Sequence, residues 1–152
     1  MMQNTTVHNQ QALAAYTITD IGLRPGYANS IAYGINAAGQ VVVVVCNKKM
    51  LEEAHSYLWQ SGQWTDLGSL GGPSTIASAI NDQGDVVGRS LTGDNLIRPF
   101  LWHNGTMRNL GTFGGEPSHK ERGNDAHSIN KQGQVAGGAS TKDRVNHFFT
   151  LG

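Results

Sequence analysis

Apolar residues along this chain fall in short runs. Examples are Ile31 to Ile35, Val41 to Cys46, Tyr57-Leu58-Trp59, Ile76 to Ile80, Val86-Val87 and Pro99 to Trp102. Gly, Asn, Asp and Ser bound these runs, and those residues punctuate strands and reversed turns. The runs also recur. A first phrase reads Thr19-Asp20-Ile21-Gly22, then Thr65-Asp66-Leu67-Gly68, then Arg108-Asn109-Leu110-Gly111. A second reads Gly34-Ile35-Asn36, then Ala79-Ile80-Asn81, then Ser128-Ile129-Asn130, each followed two residues later by Gly39-Gln40-Val41, Gly84-Asp85-Val86 or Gly133-Gln134-Val135. A third reads His55-Ser56-Tyr57-Leu58-Trp59, then Arg98-Pro99-Phe100-Leu101-Trp102, then His147-Phe148-Phe149-Thr150-Leu151. The Gly closing the first phrase returns after 46 and 43 residues, and the Asn of the second after 45 and 49. Self-similarity at this period marks a repeat architecture.

Each unit predicts four short strands. A small-residue strand (Ala77 to Ile80) turns through Asn81-Asp82-Gln83-Gly84 into a second (Asp85 to Gly88). The third (Pro99 to Trp102) turns through His103-Asn104-Gly105 into the fourth (Met107 to Leu110). Three hairpin-type links followed by one long Gly-rich link describe a meander sheet and a crossing to the next. The expected fold is therefore all-β, built of β-propeller blades, with a β-trefoil as the alternative. Residues 1–15 form a polar N-terminal extension. The β domain spans 16–152, with a closing strand at 16–22 and repeats at about 23–67, 68–110 and 111–152. Propellers have four to eight blades, so three imply a six-bladed ring completed by homodimerisation. In that ring, strand 16–22 of each protomer would cover the bare outer edge of its partner's third blade.

Composition narrows the function classes. The chain has 152 residues, 20 of them Gly, with 11 basic and 11 acidic side chains and one Cys. Low, balanced charge argues against intrinsic disorder and provides no basic excess for nucleic acid. One Cys builds neither an intrachain disulfide framework nor a multi-thiolate zinc site. No stretch approaches 18 apolar residues, so no membrane helix is expected. Residues 1–15 lack the apolar core of a secretory signal, although Ala12-Leu13-Ala14-Ala15 looks like a cleavage region. The expected location is the cytoplasm.

Taken together, the repeated phrases resemble the bacterial HAF-repeat family from Tyr16 to Gly152. Asp66-Leu67-Gly68-Ser69-Leu70-Gly71-Gly72, Ala79-Ile80-Asn81-Asp82-Gln83-Gly84-Asp85-Val86-Val87-Gly88 and His55-Ser56-Tyr57-Leu58-Trp59 carry the resemblance. It implies a repeat protein, often exported, with no established activity and no catalytic residues to transfer. Repeat 2 departs at Arg98-Pro99, repeat 3 at Thr150-Leu151, and repeat 1 in its valine run.

Candidate ligand-binding residues follow from position and variation. His55, Arg98 and His147 open the third phrase and could meet an anion, although a motif present in every repeat is more often structural. The Asx residues of the first two phrases are expected to cap turns. Tyr33, Ser78 and His127 differ among otherwise small residues of the first strand, which in a propeller lines the channel. The long link of repeat 3 carries His119, Glu121 and Asp125, but their spacing matches no established metal site. The three Trp residues are expected in the packing. Cys46 is expected to be buried, and the valine run 41–45 covered on both sides, with the subunit interface one place for it.

The functional expectation is a non-enzymatic module that uses its channel or loop face to bind a small molecule, glycan or partner, with no cofactor. The alternative is a small enzyme of hydrolase or lyase type, with His127, Tyr33, Glu121 and Asp125 as the acid–base set. A third possibility is a purely structural assembly unit.

Overall fold

In the computed structural model, residues 4–7, 16–47, 53–115, 123–143 and 145–152 are described. Among them there is no helix, so none crosses a membrane. The strands are β1 (Asn4–Val7), β2 (Tyr16–Thr19), β3 (Asn29–Ile35), β4 (Val41–Cys46), β5 (Ala54–Gln60), β6 (Gln63–Asp66), β7 (Gly71–Ile80), β8 (Val86–Thr92), β9 (Ile97–His103), β10 (Thr106–Asn109), β11 (Asp125–Ile129), β12 (Val135–Ser140) and β13 (Asn146–Leu151). Three antiparallel meander sheets follow one another along the chain: β3-β4-β5-β6, β7-β8-β9-β10 and β11-β12-β13. Each holds one repeat, and the third is a strand short of the others.

The repeated polar residues make the turns. Asp20, Asp66 and Asn109 each accept the N–H of the Gly two residues on (Gly22, Gly68, Gly111), every one at 2.8 Å. Those glycines have φ between 73° and 80°, the left-handed region that disfavours side chains. Asn36, Asn81 and Asn130 hold the β3–β4, β7–β8 and β11–β12 turns, each Oδ1 accepting backbone N–H groups two and four residues on at 2.9–3.1 Å. Their amides also link one sheet to the next. Asn36 Nδ2 donates to the Asn81 carbonyl at 3.0 Å, and Asn81 Nδ2 to the Asn130 carbonyl at 3.2 Å. Ser61-Gly62 and Asn104-Gly105 close two-residue hairpins with positive φ throughout, as the strand twist requires.

Successive sheets pack through two cores. Val42, Leu58 and Leu67 of the first sheet and its exit meet Ala77, Val86, Phe100 and Trp102 of the second. Val87, Leu101 and Leu110 then meet Ala126, Ile129, Val135, Ala139 and Phe149 of the third. The Gly-Gly of the long links permits close approach. A Cβ on Gly72 would lie 2.5 Å from the Thr92 carbonyl oxygen, and one on Gly115 would lie 2.5 Å from Ser140 Oγ.

One expectation changes. The valine run is buried within a single chain: Val43 and Val45 pack with Tyr57, Trp59, Ile21 and Tyr27, while Val44 meets Ala54 and Ile76. It needs no subunit interface. The strand expected to close a partner's sheet pairs along one edge with β1 of its own chain, Asn4 opposite Thr19 through Val7 opposite Tyr16. The polar extension thus contributes a strand. Cys46 is free and buried, and Trp59 and Trp102 lie in the packing as expected.

Candidate functional site

The first strand of every sheet carries a β-bulge at the same repeat position. Pairing slips between Ala32 and Gly34, between Ala77 and Ala79, and between Ala126 and Ser128. The extra residues are Tyr33, Ser78 and His127, the three marked out by their variation. A bulged residue leaves the ladder and its side chain is re-aimed, so its identity is released from strand packing. Small flanking residues in every copy make room for the slip. Tyr33 is 43% exposed and the His127 side chain 60%, while Ser78 is half-buried. Tyr33 borders an apolar groove of about 600 Å3 with Ile21, Ile35, Val41 and Trp59.

Ser78 and His127 come together around Asp125. Arg89 Nη1 donates to Asp125 Oδ2 at 2.9 Å, with the Asp125 side chain 9% and that of Arg89 29% exposed. His127 Nδ1 lies 4.0 Å from the same oxygen, beyond hydrogen-bond reach. Burial pushes the Asp125 carboxyl above its ordinary 3.8, outweighing Arg89, His127 and the Ser78 hydroxyl, which all favour the ionised form. Among the described residues its Oδ1 is buried with no hydrogen-bond partner, in keeping with burial winning.

Repeat register explains why this cluster stands out. Asp125 occupies the position of Ile31 and Ile76, and Arg89 that of Val44 and Gly138. Sequence reasoning passed over Arg89. The available signal was a charge at an apolar repeat position, paired with a second such charge one sheet on. In this geometry Asp125 Oδ2 accepts from Arg89, and the Asp125–His127 approach is a 4.0 Å ion-pair distance, not a hydrogen bond.

The remaining candidates separate. His55, Arg98 and His147 hold equivalent places on three different sheets, opposite Val45, Ser90 and Ala139. His55 packs against Tyr27 with ring centroids 5.7 Å apart, and Arg98 Nη1 bonds the neighbouring Ile97 carbonyl at 3.0 Å. His147 is exposed. His119 and Glu121 lie outside the described residues. Among the described residues, no three His, Cys, Asp or Glu side chains converge as a metal site would require.

No family model matches the chain, and no curated protein matches it. Among solved structures it is similar to a fucose lectin from Kordia zhangzhouensis, determined in complex with methyl-fucoside. The identity is 15%, covering 81% of this chain and 92% of that one, with a TM-score of 0.37. At that level, chemistry has to be argued from the residues themselves.

Proposed function

We propose that this chain is a non-enzymatic binding module whose three sheets are blades of a half-propeller, and that its ligand engages the bulged residues of the first strands. One observation carries the reading: Tyr33, Ser78 and His127 stand at the same bulge in all three sheets, and they differ in size and type while each offers a polar group. A purely structural position in a repeat keeps its residue type, as the Asx turns do. Ligand groups that differ around a site need different side chains.

Ring closure with a second copy is part of the proposal. Meander order within each sheet supports blades over a trefoil, as does the turn-to-turn Asn link from sheet to sheet. Positions that a junction buries inside the chain are exposed at its two ends. Phe148 is 92% exposed where the equivalent Ser56 and Pro99 are fully buried. Ile35 is 69% exposed where the equivalent Ile129 is buried. A second copy carries both missing halves of that junction. The resemblance to the HAF-repeat family agrees with a repeat module of this kind.

A thermal-shift screen of glycans and metabolites tests the binding reading. The expected result is a stabilising ligand whose effect is lost in His127→Ala and in Tyr33→Ala. A broad screen without hits, or hits indifferent to both variants, overturns it. Light scattering tests closure: twice the chain mass is expected, reverting to one chain mass in a folded Phe148→Asp variant. A wild-type monomer at high concentration would refute the ring.

A further inference from the structure

A second, chemically different pocket opens at the other end of the first sheet. Strand β3 runs from Asn29 to Ile35, so the Asn36 turn lies roughly 20 Å from this pocket at the usual rise per residue. The pocket has a volume of about 420 Å3, and Arg24, Tyr27, Asn47, Glu53, His55 and Tyr57 line it. That volume is in the range of small-molecule sites.

One wall is fixed in place. The turn Arg24 to Tyr27 closes with the Tyr27 N–H donating to the Arg24 carbonyl at 3.2 Å. Asn47 clamps the same link to the sheet, its Oδ1 accepting the Ala28 N–H at 2.8 Å and its Nδ2 donating to the Gly26 carbonyl at 3.0 Å. Arg24 lies over the Tyr57 ring, 4.2 Å from its centroid. Tyr57 in turn meets Tyr27 and Trp64 edge-on at 6.4 and 6.1 Å.

The rings of Tyr27 and Tyr57 also cover the valine run, and His55 has a counterpart in His147; what the other repeats lack here is the two tyrosine hydroxyls. Tyr57 stands where the other repeats have Phe100 and Phe149, and Tyr27 stands where the second has Gly72. A hydroxyl at a packing position costs burial unless it is bonded, and those of Tyr57 and Tyr27 meet at the pocket wall. Burial and the Tyr27 hydroxyl push the Tyr57 phenol up to about 12, so it stays a neutral donor and acceptor at physiological pH.

The lining selects a ligand class. One guanidinium and one carboxylate balance, which penalises a net anion or cation of the ligand. Arg24 donates, Glu53 accepts, and the Tyr27, His55 and Tyr57 side chains add both functions beside aromatic surface. Adjacent hydroxyls on an apolar-faced ring match that set, because aromatic walls take the C–H face and paired polar groups bridge the hydroxyls. We infer that this pocket binds a neutral polyhydroxylated ring of pyranose type, at a site independent of the bulged residues.

The test uses the full chain and a panel of methyl pyranosides, read by saturation-transfer NMR and calorimetric titration, with free amino acids as a zwitterionic control. At least one pyranoside is expected to bind in about the millimolar range or tighter. Glu53→Gln and Arg24→Met should each weaken it tenfold or more, and Tyr57→Phe severalfold. Should Arg24→Met fail to fold, Tyr57→Phe decides, since Phe is what the other repeats carry there. No pyranoside binding, binding only of amino acids, or affinity indifferent to Tyr57→Phe and Glu53→Gln overturns the inference. Loss of binding in His127→Ala with both pocket variants unaffected would also overturn it, while leaving the bulge reading standing.

Discussion

The two sheet-to-sheet junctions occupy equivalent positions and solve the same packing problem with different chemistry. In the first, Val44 meets Ala54 and Ile76. Beside them the buried Ser56 hydroxyl donates to the Thr75 carbonyl at 2.8 Å and accepts the Ala77 N–H at 2.9 Å. In the second, Arg89 replaces the valine and Asp125 the isoleucine, and Pro99 replaces the serine. An apolar pair gains from leaving water. An ion pair must first recover the cost of dehydrating both groups, and Asp125 keeps an oxygen that no described residue bonds. The first junction reads as stability, and the second as a position where stability was given up beside the exposed His127.

Substitutions can break or sharpen that contrast. The largest effect is expected from Phe100→Ala, which empties the fully buried centre of the first junction and should cost about 3–5 kcal/mol in urea unfolding. Arg89→Met comes next. It strands the Asp125 carboxylate and should cost about 2–3 kcal/mol, below the fully buried range because Arg89 is partly exposed. Converting the second junction into the first with Arg89→Val and Asp125→Ile together should be neutral or stabilising, by up to about 1–4 kcal/mol. A double variant weaker than Arg89→Met alone would show that the junctions are not interchangeable.

Ser56→Ala should cost about 1–2 kcal/mol, since it leaves the Ala77 N–H and Thr75 carbonyl without that partner. The smallest effect is the pH dependence of the second junction. Burial raises the folded pKa of Asp125 above its ordinary 3.8. Its contribution to stability is therefore fullest below 3.8 and is lost as pH rises through the folded value. The unfolding free energy of the wild type, minus that of Asp125→Asn, should grow as the solution is acidified. A difference that shrinks on acidification would mean that Arg89 outweighs burial.

Much of this was legible in the residues alone. The phrases place the turns, because Asx side chains in turns bond backbone two residues on, a local fact needing no tertiary knowledge. The variable trio at Tyr33, Ser78 and His127 also stood out, though as channel positions and not as bulges. What the sequence hid was non-local. Arg89 and Asp125 lie 36 positions apart and meet only once the offset between successive sheets is known. Cover for the valine run comes partly from Ile21 and Tyr27, in a link that carries no repeat signal. The pairing of Asn4–Val7 with Tyr16–Thr19 joins the expected closing strand to a polar stretch that gave no hint of a ladder.

The Asn relay has a direction. Asn36 donates forward to the Asn81 carbonyl and Asn81 forward to that of Asn130, never in reverse. The row of turns is thus a vector with a donor end and an acceptor end, like a chain of links that fasten only one way. Two such vectors can join only tip to tail. If the angle between successive sheets divides evenly into a full revolution, the joined vectors meet themselves and growth stops; if a substitution alters that angle, the same fastening continues without limit and yields a helical fibre. Self-limitation in this molecule would then be a matter of pitch, set by the small residues between its sheets.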